Sequence, residues 1–125
     1  LLCAKVRQFF EQLEDSQGEN PVVFQIKEFI QQNYAAPSLS VPDVSEHVHL
    51  SPSYVCTVFK NETGQTLNQY LTDYRIKMSK QFLSDPRYKI ADISSKVGYS
   101  DGNYYSKAFK KIVGLSPSEY REKML

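Results

Sequence analysis

The chain repeats itself once, and that repeat limits the folds open to it. Asp43, Val44, Ser45, Val48 and Ser51 recur as Asp92, Ile93, Ser94, Val97 and Ser100, each 49 residues on. Tyr54, Phe59, Lys60, Gly64 and Tyr70 recur as Tyr104, Phe109, Lys110, Gly114 and Tyr120, each 50 residues on. One residue is gained in the second copy near positions 101–103, where its second helix is expected to begin. Two copies make a tandem duplication and not a solenoid, which needs at least three units to share a core.

Each copy reads as a short helix, a turn of about four residues and a longer helix, the helix-turn-helix plan. Ser40 with Asp43 three residues later predicts the capped start of a short helix running through His47. Ser51-Pro52 opens the next helix, to about Thr63, where Gly64 supplies a left-handed stop. Thr66 caps the longest segment, about 67–84, which Asp85-Pro86 breaks. Its apolar residues Leu67, Tyr70, Leu71, Tyr74, Met78 and Phe82, with a second stripe at Ile76 and Leu83, lie on more than one side. A helix of that kind must bury more than one face, as a rod between two packed units would. Ile90 to Val97 is the following short helix, stopped by Gly98. Ser100 is expected to cap a helix to about Ile112, stopped by Gly114, and Ser116-Pro117 with Glu119 forms a capping box for the last helix.

Upstream, Asn20-Pro21 starts a helix with the apolar face Val22, Val23, Ile26, Phe29, Ile30 and Tyr34, ended by Ala36-Pro37. Before it, Leu2, Val6, Phe9, Phe10 and Leu13 mark one face of a further helix over residues 1–14, and DSQGEN (15–20) reads as a short linker. No segment has the alternating pattern of a strand, so the fold class is all-α.

A chain of 125 residues starting at Leu1, with no signal-peptide pattern, is expected to be one domain cut from a longer protein. No apolar run approaches the roughly 20 residues that cross a bilayer. Cys3 and Cys56 are the only cysteines, too few for a disulfide framework and in keeping with a reducing, cytoplasmic setting. The net charge of +1 hides an asymmetry. Residues 1–59 carry three basic and seven acidic side chains, and residues 60–125 carry twelve and seven. The C-terminal half is therefore the one suited to a polyanion.

A bundle of two helical hairpins would account for Val44, Val48, Val55 and Phe59 as core positions. It gives no reason for Asn103, Tyr104 and Lys107 to stand beside Lys110 and Lys111 on the opposite face of the second copy's long helix. DNA binding is favoured for that reason. His47, His49 and Cys56 do not make a metal site, because histidines two apart at a helix end do not face together. Nor do Ser/His/Asp sets, paired carboxylates or phosphate loops stand out. No enzyme activity, metal or cofactor is expected.

The run GYSDGNYYSKAFKKIVGLSPSEYR resembles the signature of the AraC/XylS transcription regulators. LSPSYVCTVFKNETGQTLNQYLTDYRIKMSKQFL resembles the family's first unit, and the likeness covers about residues 22–123. It implies a seven-helix domain over 21–125, with helix-turn-helix subdomains at about 40–64 and 89–114 joined by a helix at about 66–84. Residues 1–20 would then be a linker from an upstream domain. The resemblance also implies two recognition helices in successive major grooves of double-stranded DNA, roughly 34–36 Å apart.

Carried over position by position, the base-contacting residues are Ser53, Cys56 and Thr57 in the first unit and Asn103, Tyr104 and Lys107 in the second. Ser51 and Ser100 at helix N-termini, with Lys60, Lys110 and Lys111, are the phosphate contacts. Many relatives have Arg where this chain has Thr57 and Ser where it has Cys56, so the second unit is expected to do more of the reading. Ser45 and Ser94 stand where the family usually has Ala, at tight helix contacts.

The chain is especially similar to output domains of AraC-type response regulators, with a phosphorylated receiver upstream and RNA polymerase and a second copy of the chain as further partners of an activator. A ligand-sensing regulator, or a protein-interaction bundle without DNA, are the alternatives.

Overall fold

A computed structural model describes residues 20–124. The helix expected over 1–14 and its linker lie outside the described residues. Seven helices follow in order among those described: α1 (Pro21–Asn33), α2 (Val41–Val48), α3 (Pro52–Thr63), α4 (Leu67–Leu83), α5 (Ile90–Lys96), α6 (Gly102–Val113) and α7 (Pro117–Met124). The fold is all-α, a double helix-turn-helix.

Their ends obey local chemistry. Asn20 accepts from the Val22 N–H at 2.8 Å, Ser51 from the Tyr54 N–H at 3.1 Å, and Thr66 from the Gln69 N–H at 3.1 Å. Each supplies an acceptor to a helix-start N–H that has no carbonyl partner within its own helix. At α2 the Asp43 carboxylate accepts from both the N–H and the hydroxyl of Ser40, each at 3.0 Å. Gly64 and Gly114 end α3 and α6 in the left-handed region, at φ 78° and 90°.

Several helix ends shift by one residue from the sequence reading, and at two boundaries the group that sets the end differs. Helix α1 stops at Asn33, three residues short of Ala36-Pro37. The side-chain amide of Asn33 donates to the Phe29 carbonyl at 2.9 Å, and the chain turns there through an Ala36 N–H to Asn33 carbonyl bond. Helix α6 begins at Gly102, and its cap is Asp101, which accepts from the Asn103 N–H at 2.9 Å; Ser100 stands one residue outside. The extra residue of the second copy thus lies in the turn before the helix. A carboxylate at the cap position displaces Ser100 from that task.

There are two cores. Val23, Ile26, Ile30, Val44, Val55, Phe59 and Leu67 form the first, and Ile76, Leu83, Ile93, Val97, Tyr99, Tyr105 and Phe109 form the second. Helix α4 enters both. Its first turns close the first core through Leu67 and Tyr70, and its last turns open the second through Ile76 and Leu83. The repeat is visible in the ring geometry: Phe59 meets Tyr70 edge-on at 5.5 Å, and their counterparts Phe109 and Tyr120 meet edge-on at 5.5 Å. Helix α7 therefore does for the second unit what the start of α4 does for the first. It is tied down by Arg121, which donates to the carbonyls of Leu83, Asp85 and Tyr88 at 3.1, 3.3 and 2.6 Å. Ser45 and Ser94 are buried, and each hydroxyl donates to the carbonyl three residues back, at 2.9 Å. That bond is why a serine is tolerated at these tight positions.

The turn between the two helices of each unit is also repeated. His49 and Gly98 occupy matching left-handed positions, at φ 59° and 95°. Gly98 has a second constraint that His49, which is exposed, lacks. A Cβ on Gly98 would lie 2.5 Å from the Tyr34 carbonyl oxygen and 2.7 Å from Arg75 Nε, whereas one on Gly114 would meet nothing within 4 Å. Gly114→Ala should therefore lower unfolding free energy by about 1–2 kcal/mol, from left-handed strain alone. Gly98→Ala should cost about 3 kcal/mol or more, since the clash adds to the strain. Urea denaturation of the two variants checks the order.

Candidate nucleic-acid interface

Helices α3 and α6 each bury one face and leave the other open, and the arithmetic of 3.6 residues per turn fixes which residues go where. In α3, Val55 and Phe59 are buried, and Ser53, Cys56, Thr57 and Lys60 are exposed on the opposite side, within an arc of about 100°. In α6, Tyr105 and Phe109 are buried, and Asn103, Tyr104, Lys107, Lys110 and Lys111 are exposed within an arc of about 120°. Ser51 and Ser100 are also exposed, the first at the α3 cap and the second in the turn before α6. All eleven residues singled out from the sequence thus lie at the surface, and each helical set shares one face of its helix.

Flanking that arc on α3 is one exposed residue that the sequence reading passed over. Tyr54 is 50% exposed and is the repeat mate of Tyr104, which is 66% exposed. The two rings, exposed at matching positions, give each helix an amphipathic side chain on its open side. The signal was available, because the two tyrosines align at 50 residues.

The faces differ in charge and support. The α6 face carries three lysines; the α3 face carries Lys60 alone, whose ammonium turns back to donate to the Gly64 carbonyl at 3.2 Å. Tyr104 rests against Tyr99, ring centres 5.9 Å apart, and Tyr99 in turn lies against Tyr105 at 5.6 Å. Burial raises the phenol pKa of both Tyr99 and Tyr105 above the ordinary value, so these rings stay neutral supports. Beside the α6 C-terminus, Glu119 accepts from the Ser116 hydroxyl and N–H and is held below the usual carboxylate range. Cys56 is a free, exposed thiol.

The histidines do not converge. His47 stacks on Phe29 with ring centres 4.3 Å apart, while His49 sits past the end of α2. That stack walls a shallow pocket of about 350 Å³ with Asn33, Leu39, Asp43 and Glu46, lined by α1, α2 and the chain between them and by no residue of α3 or α6. What α3 and α6 can do chemically is present polar side chains and cations from a convex helix surface, which suits a groove better than a small ligand.

The helix-turn-helix domain family model matches residues 44–123. The chain is 36% identical over 126 aligned residues to the Msm operon regulatory protein of Streptococcus mutans, covering 99% of this chain and 45% of that protein. It is 38% identical over 111 residues to the transcriptional regulatory protein HptR of Staphylococcus aureus, covering 89% of this chain and 43% of that one. This chain therefore spans less than half the length of these relatives. Among solved structures, it is similar to the C-terminal domain of AraT, a response regulator from Geobacillus stearothermophilus, with a TM-score of 0.80 and 32% identity over 83% of this chain and 86% of that one.

Since Asp101 caps α6 and Ser100 does not, Asp101→Ala should lower stability by about 1 kcal/mol. Ser100→Ala should change it by less than about 0.5 kcal/mol. Thermal unfolding of both variants reads the difference directly.

Proposed function

The chain belongs to the AraC family of helix-turn-helix domains, and from that premise we propose that it reads double-stranded DNA with α3 and α6 in successive major grooves, as the output domain of a response regulator. One observation carries the reading: the two helices that follow the turns expose matched polar faces while burying the opposite ones. Tyr54 and Tyr104, exposed at matching positions, add aromatic contact surface to the two helices. The response-regulator context is supported by the likeness to AraT. The greater length of the relatives leaves room for a receiver domain upstream, with residues 1–20 as its linker.

On the DNA, Asn103 pairs with adenine, Lys107 with guanine acceptors, and Tyr104 packs on a thymine methyl or a phosphate. Ser53, Cys56 and Thr57 make shorter contacts from α3, and Tyr54 joins them as the counterpart of Tyr104. Ser51, Ser100, Lys60, Lys110 and Lys111 hold phosphates and fix the register. With Lys107 among the base-reading residues of α6 and no arginine at Thr57 on α3, the second unit contributes more of the sequence preference. Helix α4, 17 residues or about 25 Å long, separates the units. Duplex that must meet both faces then bends, at a cost on the order of 1–6 kcal/mol that depends on sequence. In the cytoplasm the bound protein recruits RNA polymerase, and a second copy on adjacent DNA completes the regulatory site.

Binding to a DNA site selected in vitro should weaken steeply with salt, log K falling by roughly 0.9 per log unit for each phosphate neutralised. A flat dependence would leave only the interaction bundle standing. Lys107→Ala should cost about 1–3 kcal/mol of affinity and relax base preference in one half of the site alone. Unchanged preference after that substitution would remove Lys107 from the base-reading set.

A further inference from the structure

Apart from α4 itself, the two units touch through a small set of atoms, and Arg75 is at their centre. It lies in the middle of α4, between the residues that serve the first core and those that serve the second. Its Nε donates to the Tyr34 carbonyl at 2.9 Å and its Nη2 to the Ala36 carbonyl at 2.9 Å. Both acceptors lie in the chain leaving α1, in the first unit. The same guanidinium sits over the Tyr99 ring, 5.5 Å from its centre, in the turn of the second unit. Tyr99 backs Tyr104 on the exposed face of α6.

Three further observations belong to this junction. Tyr34 meets Tyr74 edge-on at 5.1 Å and is itself packed against the second core. Gly98 approaches the Tyr34 carbonyl and Arg75 so closely that no side chain fits there. The matching turn of the first unit has no such approach, and an exposed histidine stands in it. The duplicated turns thus differ where one of them meets the other unit.

We propose that Arg75 is a positioning residue that fixes the separation and angle of the two recognition helices, and through them the spacing of the two half-sites that the protein accepts. This rests on the two-faced DNA reading above. A single α-helix joining two small cores resists stretching but leaves twist and bend to be set by contacts at its middle. The planar fork of Arg75 supplies two directional bonds on one side and a stacking surface on the other, which a lysine cannot do together. Loss of the fork leaves each core with its own apolar set and frees the angle between them.

The test uses DNA selected in vitro by the wild-type chain, together with versions in which one base pair is inserted or removed between the half-sites. Wild type should lose at least about twentyfold in affinity on the altered spacings, a mismatch comparable to a wrong base pair. Arg75→Gln should lose about tenfold on the selected site but less than about threefold more on the altered ones, with base preference within each half-site kept. A second measurement needs no DNA. Spin labels at Glu62 and Ile112, exposed repeat mates on α3 and α6, with both native cysteines replaced by serine, should give a broader distance distribution in Arg75→Gln than in wild type.

Retention of the wild-type spacing ratio overturns the proposal, as does an unbroadened distance distribution. Should Arg75→Gln not fold, Arg75→Lys, which keeps the charge over Tyr99, is read in the same two ways. Failure of both to fold assigns Arg75 to the cores and overturns the positioning role. If wild type selects no two-part site, the DNA reading itself fails, while the label distances still report on Arg75.

Discussion

Helix α4 is wanted by two cores at once, and the rest of the molecule follows from that double demand. Leu67 and Tyr70 at its start complete the pocket formed by α1, α2 and α3, and Ile76 and Leu83 at its end are walls for α5, α6 and α7. Neither set of short helices encloses an apolar centre alone: α2 and α5 are only eight and seven residues long. Helices so short gain their stability from packing and not from their own hydrogen bonds. The long helix is the overlap of the two copies, being the last element of one and the first of the next. Duplication with a shared element explains why the repeat contains fewer helices than two separate units would.

Sharing the helix has a consequence for how the exposed faces of α3 and α6 relate. Each face is held by the core beneath it, so its local chemistry is independent of the other. Their relation is carried by α4 and by the few contacts at its midpoint, among them Arg75 with Tyr34, Ala36 and Tyr99. Within each unit the chain repeats the same devices: a glycine stop at Gly64 and Gly114, capping boxes at Thr66 and Ser116, and edge-on rings at Phe59–Tyr70 and Phe109–Tyr120. Between the units it does not. The asymmetry is concentrated where the copies meet, at Gly98 and Tyr99, and on the faces that would touch a duplex, where Thr57 stands against Lys107.

Much of this was legible in the chain before folding. Helix ends at Asn20, Ser51, Thr66, Gly64 and Gly114 depend on side-chain acceptors and left-handed glycines within a few residues, and such local chemistry is written in order along the sequence. The exposed faces of α3 and α6 were legible too, since helical periodicity plus two buried aromatics decides which side remains outside. Where two local signals competed, the order of residues was not enough. Ser100 and Asp101 are adjacent candidate caps, and only the geometry of the turn after Tyr99 puts Asp101 at the helix start. Tyr54 lay in plain view as the mate of Tyr104, yet a tyrosine reads equally well as core or surface until its burial is known.

Among the described residues, the sequence by itself determined the order of the helices, the duplication, the buried and exposed sides of α3 and α6, and the family. All of these rest on interactions between residues a few positions apart or on the repeat itself. Tertiary structure alone decided the claim of Arg75 on two carbonyls some forty residues away and the close approach that bars any side chain at position 98. These depend on contacts between segments far apart in the chain, and no local pattern of residue types encodes which backbone carbonyl a distant guanidinium will find.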